Sequence, residues 1–273
     1  MDYLVKGADI HLYQPDLDLD ETLDCGQAFR WERIGDKAYH GYRINKPLEI
    51  CAEKDYFVLK DTSEKELTEI WADYFDLDTD YGELKRIFSE DETLSKACAY
   101  AGGIRLLRQD SWEALLSFII SQNNNIPRIK GIIGRLCAEN GGFPSAGQLY
   151  DKTVDDLSYL RAGFRAGYIT DCVSRIRSGE LDLERVRKMP VEDARKALMT
   201  VRGIGPKVAE CALLYGMYRV ECFPVDVWIK RVMAQFYPDG FPEFAKAYAG
   251  IAQQYLFHYM RTAGVYTEQQ ERK

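Results

Sequence analysis

The chain has 273 residues, which is long enough for two or three subdomains around substantial cores. No apolar run approaches the length of a membrane span, and no positively charged leader precedes an apolar stretch at the N-terminus, so we expect a cytoplasmic protein. Its seven cysteines are scattered, with an odd total and no close pair, which argues against a disulfide framework or a zinc site.

The charge is distributed unevenly along the chain. The net charge is −7, but residues 1–100 carry 24 acidic and 12 basic side chains, whereas residues 101–273 carry 19 acidic and 24 basic ones. A face that binds nucleic acid is therefore predicted in the second part, which has a net charge of +5. A solvated acidic domain beside a neutral one would have the same distribution, so the charge only permits this interpretation.

The first part of the chain has the pattern of an antiparallel sheet. The predicted strands are 28–34, 38–44, 47–52 and 56–59. A polar turn at 35–37 separates the first two strands, and another at 53–55 separates the last two. Alternation of apolar and polar residues over 40–44 favours a sheet with one covered face.

The pattern changes to a helical period after the predicted strands. A helix is predicted from Ser63, as its cap, to Tyr74, with Leu67, Ile70 and Trp71 in its apolar stripe. Further helices are predicted at 81–88, 92–100, 112–121, 127–140, 168–178, 191–201, 206–216, 227–236 and 243–261. The predicted fold class is α+β: an N-terminal antiparallel β-sheet domain, 1–78, followed by an all-α domain, 79–273.

The run from Val201 to Ala209 is the most informative stretch of the helical part. Gly203 can adopt the positive φ that ends one helix, and Pro206 suits the first turn of the next. Two helices joined this closely leave unpaired backbone N–H groups that can bind a phosphate. The sequence therefore predicts a helix-hairpin-helix motif at about 191–216.

Lys207 is predicted in the first turn of the second helix, at the positive end of its dipole. A cation is unfavourable there, and the same field favours the neutral amine, which is the nucleophilic form. Simpler interpretations exist for each residue alone. A Gly-x-Gly turn between helices is usually only a turn, Asp226 could be only a helix cap, and a lysine is usually solvated.

Taken together, these residues resemble the helix-hairpin-helix DNA glycosylases. The hairpin of that family reads Leu/Val-x-Gly-Val/Ile-Gly-x-Lys-x-Ala, with an aspartate about one short helix later. The resemblance implies that Lys207 is the catalytic lysine and Asp226 the catalytic aspartate. It also implies that Gly203, Gly205 and Val208 contact DNA.

Four stretches resemble the 8-oxoguanine branch of that family: 26–31, 121–129, 203–211 and 253–257. In that branch, the glycine that matches Gly26 offers its carbonyl to the N7–H that oxidised guanine has and guanine lacks. Gln253 matches the amide that reads the Watson–Crick edge. Phe257 and Cys211 match the residues that sandwich the ring.

The resemblance also assigns residues to the opposite strand. Asn123 matches the residue that fills the space left by the extruded base, and Arg128 and Arg165 match the arginines that hold the stranded cytosine. Phe164 stands where animal enzymes carry tyrosine and remains able to wedge between bases.

Two positions depart from the family pattern. A histidine often follows two residues after the catalytic aspartate, paired with an aspartate three residues beyond the stacking phenylalanine. Those positions are Trp228 and Met260 here, so a phosphate contact is expected to be replaced.

The resemblance implies a bifunctional DNA glycosylase/AP lyase that flips 8-oxoguanine out of duplex DNA, excises it through a lysine Schiff base and cleaves the strand by β-elimination, in base excision repair. The alternatives are a related glycosylase for another oxidised base and a non-catalytic DNA-binding module. The pyrimidine-lesion branch normally carries an iron–sulfur cluster, but no cysteine follows Cys222. The adenine-mismatch branch lacks the lysine.

No cofactor is expected, except a monovalent cation, Na⁺ or K⁺, at the carbonyls of Met199, Val201 and Ile204, as the family resemblance implies. The expected partner is double-stranded DNA containing oxidised guanine. A monomer is expected, at the nucleoid if the host is a bacterium.

Overall fold

Six antiparallel strands form one sheet at the N-terminal end of the chain, in the order β1-β2-β6-β5-β4-β3. The computed structural model describes residues 1–264. The strands are β1 (Asp2–Lys6), β2 (Asp9–Tyr13), β3 (Glu32–Gly35), β4 (Ala38–Arg43), β5 (Lys46–Ala52) and β6 (Phe57–Leu59). A helical region follows the sheet, so the predicted α+β class is confirmed.

Thirteen α-helical segments are present in the described part of the chain. They are α1 (Leu19–Leu23), α2 (Glu64–Glu66), α3 (Ala72–Tyr74), α4 (Tyr81–Phe88), α5 (Glu92–Tyr100), α6 (Ser111–Ser121), α7 (Ile126–Asn140), α8 (Arg165–Ser178), α9 (Leu183–Lys188), α10 (Val191–Leu198), α11 (Pro206–Cys211), α12 (Val227–Phe236) and α13 (Ala249–Thr262). The π-helical turns Leu67–Trp71 and Ala212–Gly216 continue α2 into α3 and extend α11. Short 3₁₀ helices cover Ala146–Leu149, Ser158–Leu160 and Glu243–Tyr248.

Two features of the sheet differ from the sequence-based prediction. The hairpin of β1 and β2 was not predicted, because β1 is an exposed edge strand without apolar alternation. The strand predicted at 28–34 begins only at Glu32. The preceding residues, from Ala28 to Trp31, lie at the junction of the sheet region and the helices. The neighbouring Gln27 side chain holds the chain there, since it donates to the carbonyls of Thr22 and Arg105 and accepts from the Leu107 amide.

The helix predictions were largely correct, with local corrections. The helix predicted at 168–178 begins earlier, at Arg165, and the one predicted at 191–201 ends at Leu198. The segment predicted as one helix at 243–261 is a 3₁₀ helix followed by α13. Helix α9 was not predicted, although Asp182 caps it by accepting from the Glu184 amide at 2.9 Å.

The buried apolar side chains form two clusters. The first cluster lies between the sheet and the helical run 64–74 and also includes Leu107. The second contains Phe29 and the apolar side chains of the helical region from Tyr81 onward. Arg105, which is fully buried, links the two regions by donating to the carbonyls of Asp16, Phe75 and Thr79. The boundary at residue 78 stays a prediction, and residues 265–273 of the predicted helical domain lie outside the described residues.

All seven cysteines are free thiols. No helix among residues 1–264 is long and apolar enough to cross a membrane.

Candidate active site

One pocket brings together the six residues for which the resemblance implied chemistry or base recognition. This central pocket lies at the junction of the sheet region and the helices and has a cavity volume of about 50 Å³. Its lining includes Gly26, Lys207, Cys211, Asp226, Gln253 and Phe257. Cys25, Phe118, Tyr215, Pro224 and Gln254 complete the lining. Side chains far apart in sequence therefore meet at one site, and their individual roles stay predictions.

Lys207 projects from the first turn of α11 and is half-buried. Its Nζ lies 5.3 Å from the centroid of the Phe118 ring, which itself stacks on Tyr215 at 5.1 Å. Among residues 1–264, no carboxylate oxygen comes within 4.0 Å of this amine. The amine therefore rests against an aromatic face instead of in an ion pair.

Cys211 follows Lys207 by one helical turn and is 3% exposed. Burial raises the pKa of the Cys211 thiol to about 11, although the nearby Lys207 amine lowers it. The sulfur is therefore a neutral S–H at physiological pH, suited to packing against a ring and not to nucleophilic attack.

Asp226 lies on the pocket wall at the N-terminus of α12. Its carboxylate caps that helix by accepting a hydrogen bond of 2.8 Å from the Ile229 amide. A side chain tied to a helix end has few accessible rotamers, so the position of the negative charge beside Lys207 is fixed before any ligand binds.

Gln253 carries an unpaired polar atom into the pocket. The residue is 4% exposed, and its Oε1 has no hydrogen-bond partner in the described part of the chain. A buried polar group without a partner typically costs about 1–3 kcal/mol. Phe257 follows one turn later on α13 and is half-buried, so it offers a ring face to the same space. The pair is suited to a flat ligand with polar edges.

Gly26 cannot be replaced without strain. Its φ is +93°, and an added Cβ would lie 3.3 Å from Ile126 Cδ1 and 3.7 Å from Arg261 Nη1. Arg261 donates to the Cys25 carbonyl at 3.4 Å and lies over the Phe257 ring, with its Cζ 5.8 Å from the ring centroid. The glycine thus lets the backbone itself form part of the pocket wall.

A second group of predicted residues surrounds an exposed loop, the asparagine loop (residues 122–125). Asn123 is exposed and has a φ of +45°. Asn125 caps α7 by accepting from the Arg128 amide at 3.0 Å. The exposed Arg128 guanidinium makes one long hydrogen bond of 3.5 Å, to the Arg161 carbonyl.

Phe164 and Arg165 are adjacent in sequence but differ in exposure. Phe164 is 53% exposed, whereas Arg165 is only 2% exposed. The Arg165 guanidinium donates to backbone carbonyls of its own chain, including that of Asn123 at 2.8 Å. Burial lowers the pKa of Arg165, and the positive charge of Arg128 lowers it further. In this structure Arg165 is therefore committed to contacts within the chain.

The helical hairpin (residues 191–216) has the turn that the sequence predicted. Gly203 has a φ of +82°, and a Cβ there would lie 2.3 Å from the Tyr168 ring. Gly205 is the N-cap of α11 and supplies no side-chain cap, so first-turn amides such as that of Val208 have no side-chain acceptor at this helix end. The turn therefore presents backbone donors outward.

The predicted cation site lies on the same turn. One of its three carbonyls, that of Val201, accepts from the Ile204 amide at 3.1 Å, and Met199 is the C-cap of α10. No group of three or more His, Cys, Asp or Glu side chains in residues 1–264 is arranged to hold a metal ion. The carbonyl site stays a prediction.

The structure also shows the surroundings of Met260 and Trp228, the two positions that depart from the family pattern. Met260 is 2% exposed and contributes to the core. Trp228 is half-buried, and the Arg231 guanidinium lies 5.0 Å from its ring centroid. The positively charged side chain of Arg231 therefore lies next to the position where the family often has a histidine.

Sequence reasoning missed several lining residues. Tyr215 could have been found, because it continues the spacing of four residues from Lys207 through Cys211. Phe118 was interpreted only as part of an apolar helix, and no local signal separates it from its buried neighbours. Arg261, which lies next to the pocket, gave no signal, since the Cys25 carbonyl to which it donates is 236 positions away in sequence.

The chain is similar to known DNA glycosylases over most of its length. A family model described as "8-oxoguanine DNA glycosylase, N-terminal domain" matches residues 9–115. The chain is 32% identical to a "Probable N-glycosylase/DNA lyase" of Methanothermobacter thermautotrophicus, over 92% of this chain and 95% of the relative.

Solved structures give the same assignment. MBOgg1 bound to a low-affinity DNA ligand superposes with a TM-score of 0.90 at 38% identity, covering 97% of this chain and 100% of that one. The Clostridium acetobutylicum 8-oxoguanine glycosylase/lyase, in complex with double-stranded DNA containing cytosine opposite 8-oxoG, gives 0.88 at 35% identity, covering 97% and 99%. The chain belongs to the 8-oxoguanine DNA glycosylase family of the helix-hairpin-helix superfamily.

Proposed function

We propose that this protein is a bifunctional DNA glycosylase and AP lyase that excises 8-oxoguanine from duplex DNA in base excision repair. The observation that carries the proposal is the central pocket, where one amine, one fixed carboxylate, one unpaired buried amide and one aromatic face meet. The names of its relatives, N-glycosylase/DNA lyase and 8-oxoguanine glycosylase/lyase, support both activities.

The side chains that line the pocket have the chemistry to bind a flipped purine. Extrusion of a base from the stack costs a few kcal/mol, which contacts in a pocket must offset. Phe257 and Cys211 hold the ring between an aromatic face and a neutral thiol. The unpaired Oε1 of Gln253 accepts from the N–H donors on the Watson–Crick edge of guanine. The Gly26 carbonyl accepts from N7–H, which only the oxidised base carries.

The reaction follows from Lys207 and Asp226. Cleavage of the N-glycosidic bond builds positive charge on the sugar, and the Asp226 carboxylate stabilises that charge. In its unprotonated form, the Lys207 amine attacks C1′, the electron pair of the broken C–N bond leaves with the base, and the proton lost by the attacking nitrogen balances the one that the base takes up. Ring opening then gives an iminium. Loss of a proton from C2′ expels the 3′-phosphate and breaks the strand.

The site needs only one chain, so we propose a monomer that works on double-stranded DNA in the cytoplasm, at the nucleoid in a bacterial host. We also propose a monovalent cation, Na⁺ or K⁺, at the carbonyls of Met199, Val201 and Ile204, where it would hold the turn of the helical hairpin against a phosphate.

The direct test uses duplexes that each carry one defined lesion, with products resolved with and without alkali treatment. We expect excision of 8-oxoguanine with strand cleavage before alkali, and no excision of guanine. Preferential cutting of another oxidised base would identify a related glycosylase instead. Binding without any product would favour a DNA-binding module.

Substitution of Gly205 by valine is expected to weaken binding to all duplexes alike. Its φ of −95° is accessible to any residue, and an added Cβ meets nothing within 4 Å, so the fold should tolerate the change. The added side chain would instead obstruct the approach of a phosphate to the amides of the turn, and phosphate contacts position the protein without reading sequence. Titration of lesion and undamaged duplexes measures the effect.

Gly134→Val is the matched control, since that glycine also has open space around its Cβ position and lies outside the turn. Gly203→Ala should instead lower the melting temperature, because the methyl group would overlap the Tyr168 ring. An affinity loss confined to lesion-containing DNA in Gly205→Val would contradict the assignment of the turn to phosphate binding.

Arg128→Ala is expected to flatten a preference for cytosine opposite the lesion. The exposed guanidinium can reach a base edge, and a good bidentate contact is typically worth about 1–3 kcal/mol of discrimination. Excision rates opposite each of the four bases measure the change, with Arg177→Ala as a control because its ion pair with Asp151 lies on the surface. An unchanged cytosine preference would indicate that Arg128 contacts the phosphate backbone instead of a base edge.

A further inference from the structure

Glu210 is a buried acid that joins three elements of the helical region. It lies on α11, three residues after Lys207, and is 7% exposed. Its Oε1 accepts from the guanidinium of Arg195 on α10, and its Oε2 accepts a hydrogen bond of 2.7 Å from the Phe223 amide. Helices α10 and α11 and the chain before α12 therefore meet at one carboxylate.

Asp226 stands at the end of a stretch without regular structure, the aspartate segment (residues 218–226). Because residues 218–226 form no helix or strand, contacts with other parts of the chain must hold them in place. Helix α13 holds the segment near its start, where the Val220 carbonyl accepts from the Gly250 amide at 2.7 Å. Glu210 holds it closer to its end, only three residues before Asp226.

The link through Glu210 lies beside the reactive amine. Arg195, Glu210 and Phe223 line a second cavity, of about 720 Å³, and Lys207 lines the same cavity. Lys207 and Asp226 also share the central pocket. The carboxylate of Glu210 thus ties the backbone that leads to Asp226 to the helix that carries Lys207.

We propose that Glu210 is a positioning residue that holds the aspartate segment against α11 and so sets the distance between the Asp226 carboxylate and the Lys207 amine. The inference rests on the proposed function, in which this carboxylate stabilises charge on the sugar that the amine attacks. A misplacement of about 1 Å, even from a change far from the chemistry, can cost about 100-fold in rate. Arg195 contributes by fixing the orientation of Glu210, because its guanidinium binds Oε1 through both Nε and Nη2.

The test compares Glu210→Gln, Asp226→Asn and the double variant in single-turnover excision of 8-oxoguanine opposite cytosine. Glutamine has the shape of glutamate but only one acceptor oxygen, so one of the two links must break. Glu210→Gln should lose about tenfold in rate. The double variant should be no slower than Asp226→Asn alone, because Glu210 acts through a carboxylate that the second substitution removes.

Two further measurements separate positioning from a general loss of structure. Affinity of Glu210→Gln for the lesion duplex should match that of the wild-type protein, since Glu210 is buried. Borohydride trapping at a preformed abasic site should also be retained, because no glycosidic bond remains to be broken and Lys207 is intact. A merely structural role would lower excision, affinity and trapping together.

Glu113→Gln is the matched control. Glu113 is 8% exposed and pairs with the Arg30 guanidinium at 3.0 Å, so the substitution also removes a buried carboxylate from an ion pair. It lies on α6, outside the central pocket and the aspartate segment. The variant should excise 8-oxoguanine at the wild-type rate.

If melting temperatures show that Glu210→Gln fails to fold, Arg195→Lys takes its place. A single ammonium cannot reproduce the two-pronged contact, so this variant should lose about threefold in rate, again without further loss in the Asp226→Asn background. An unchanged rate, additive losses in the double variant, or an equal loss in Glu113→Gln would overturn the proposal. If the wild-type protein excises no 8-oxoguanine, the proposed function fails instead.

Discussion

Replacement of Lys207 by glutamine is expected to abolish covalent trapping of the protein on lesion-containing DNA. Borohydride reduces the iminium between the lysine and C1′, and glutamine cannot form that bond. The half-buried side chain has no carboxylate partner within residues 1–264, so its loss should leave DNA binding largely intact. Gel separation of the borohydride-reduced complex measures trapping, and a parallel titration measures affinity.

Lys96→Gln is the control for this experiment, because that lysine is exposed on α5 and pairs with Glu92 at 2.6 Å, away from the central pocket. It should trap as the wild-type protein does. Trapping that persists in Lys207→Gln would place the nucleophile on another amine.

The second large effect is expected for Asp226→Asn, which should lower the single-turnover excision rate by about 100-fold or more, since one preorganised electrostatic group is typically worth that much. Asparagine is as good a helix cap as aspartate, so the hydrogen bond from the Ile229 amide should survive. The melting temperature should therefore stay close to that of the wild-type protein while the rate falls.

Asp182→Asn provides the comparison, because Asp182 caps α9 in the same way but lies outside the pocket. Both variants replace a capping carboxylate by an amide, and only Asp226→Asn removes charge next to the sugar. A wild-type excision rate for Asp226→Asn would show that Asp226 serves only as a helix cap.

Local signals explain which parts of the fold could be predicted. Helices α4 and α5 were predicted with correct bounds because their apolar residues follow the helical period, and in the structure Asp80 and Asp91 cap them. The β1–β2 hairpin lacked such a signal, since β1 pairs at an edge and is mostly exposed. The segment before β3 was wrongly predicted as a strand, because its apolar side chains are buried at the junction of the sheet region and the helices without pairing in the sheet.

In the candidate site, too, the residues with a local sequence signal were predicted and the features that depend on tertiary contacts were not. Motifs with fixed spacing identified Lys207, Cys211 and Asp226, and the structure brings them together in one pocket. The unpaired oxygen of Gln253 and the inward guanidinium of Arg165 could not be predicted, because the first depends on the absence of a nearby hydrogen-bond donor among residues 1–264 and the second on the Gln122 and Asn123 carbonyls that the fold places beside it. Exposure and hydrogen-bond partners are tertiary properties and have no signature in local sequence.

The central pocket draws its walls from residues as far apart as Gly26 and Phe257. Because α13 is the last described helix, Lys207 leaves the ribosome before Gln253 and Phe257, which complete the pocket wall. Local opening of α13 in the finished protein would remove Gln253 and Phe257 together and leave the amine in place. With the roles proposed for Gln253, Phe257 and Lys207, we expect lesion choice to be lost before the capacity to cleave abasic sites as the protein is heated.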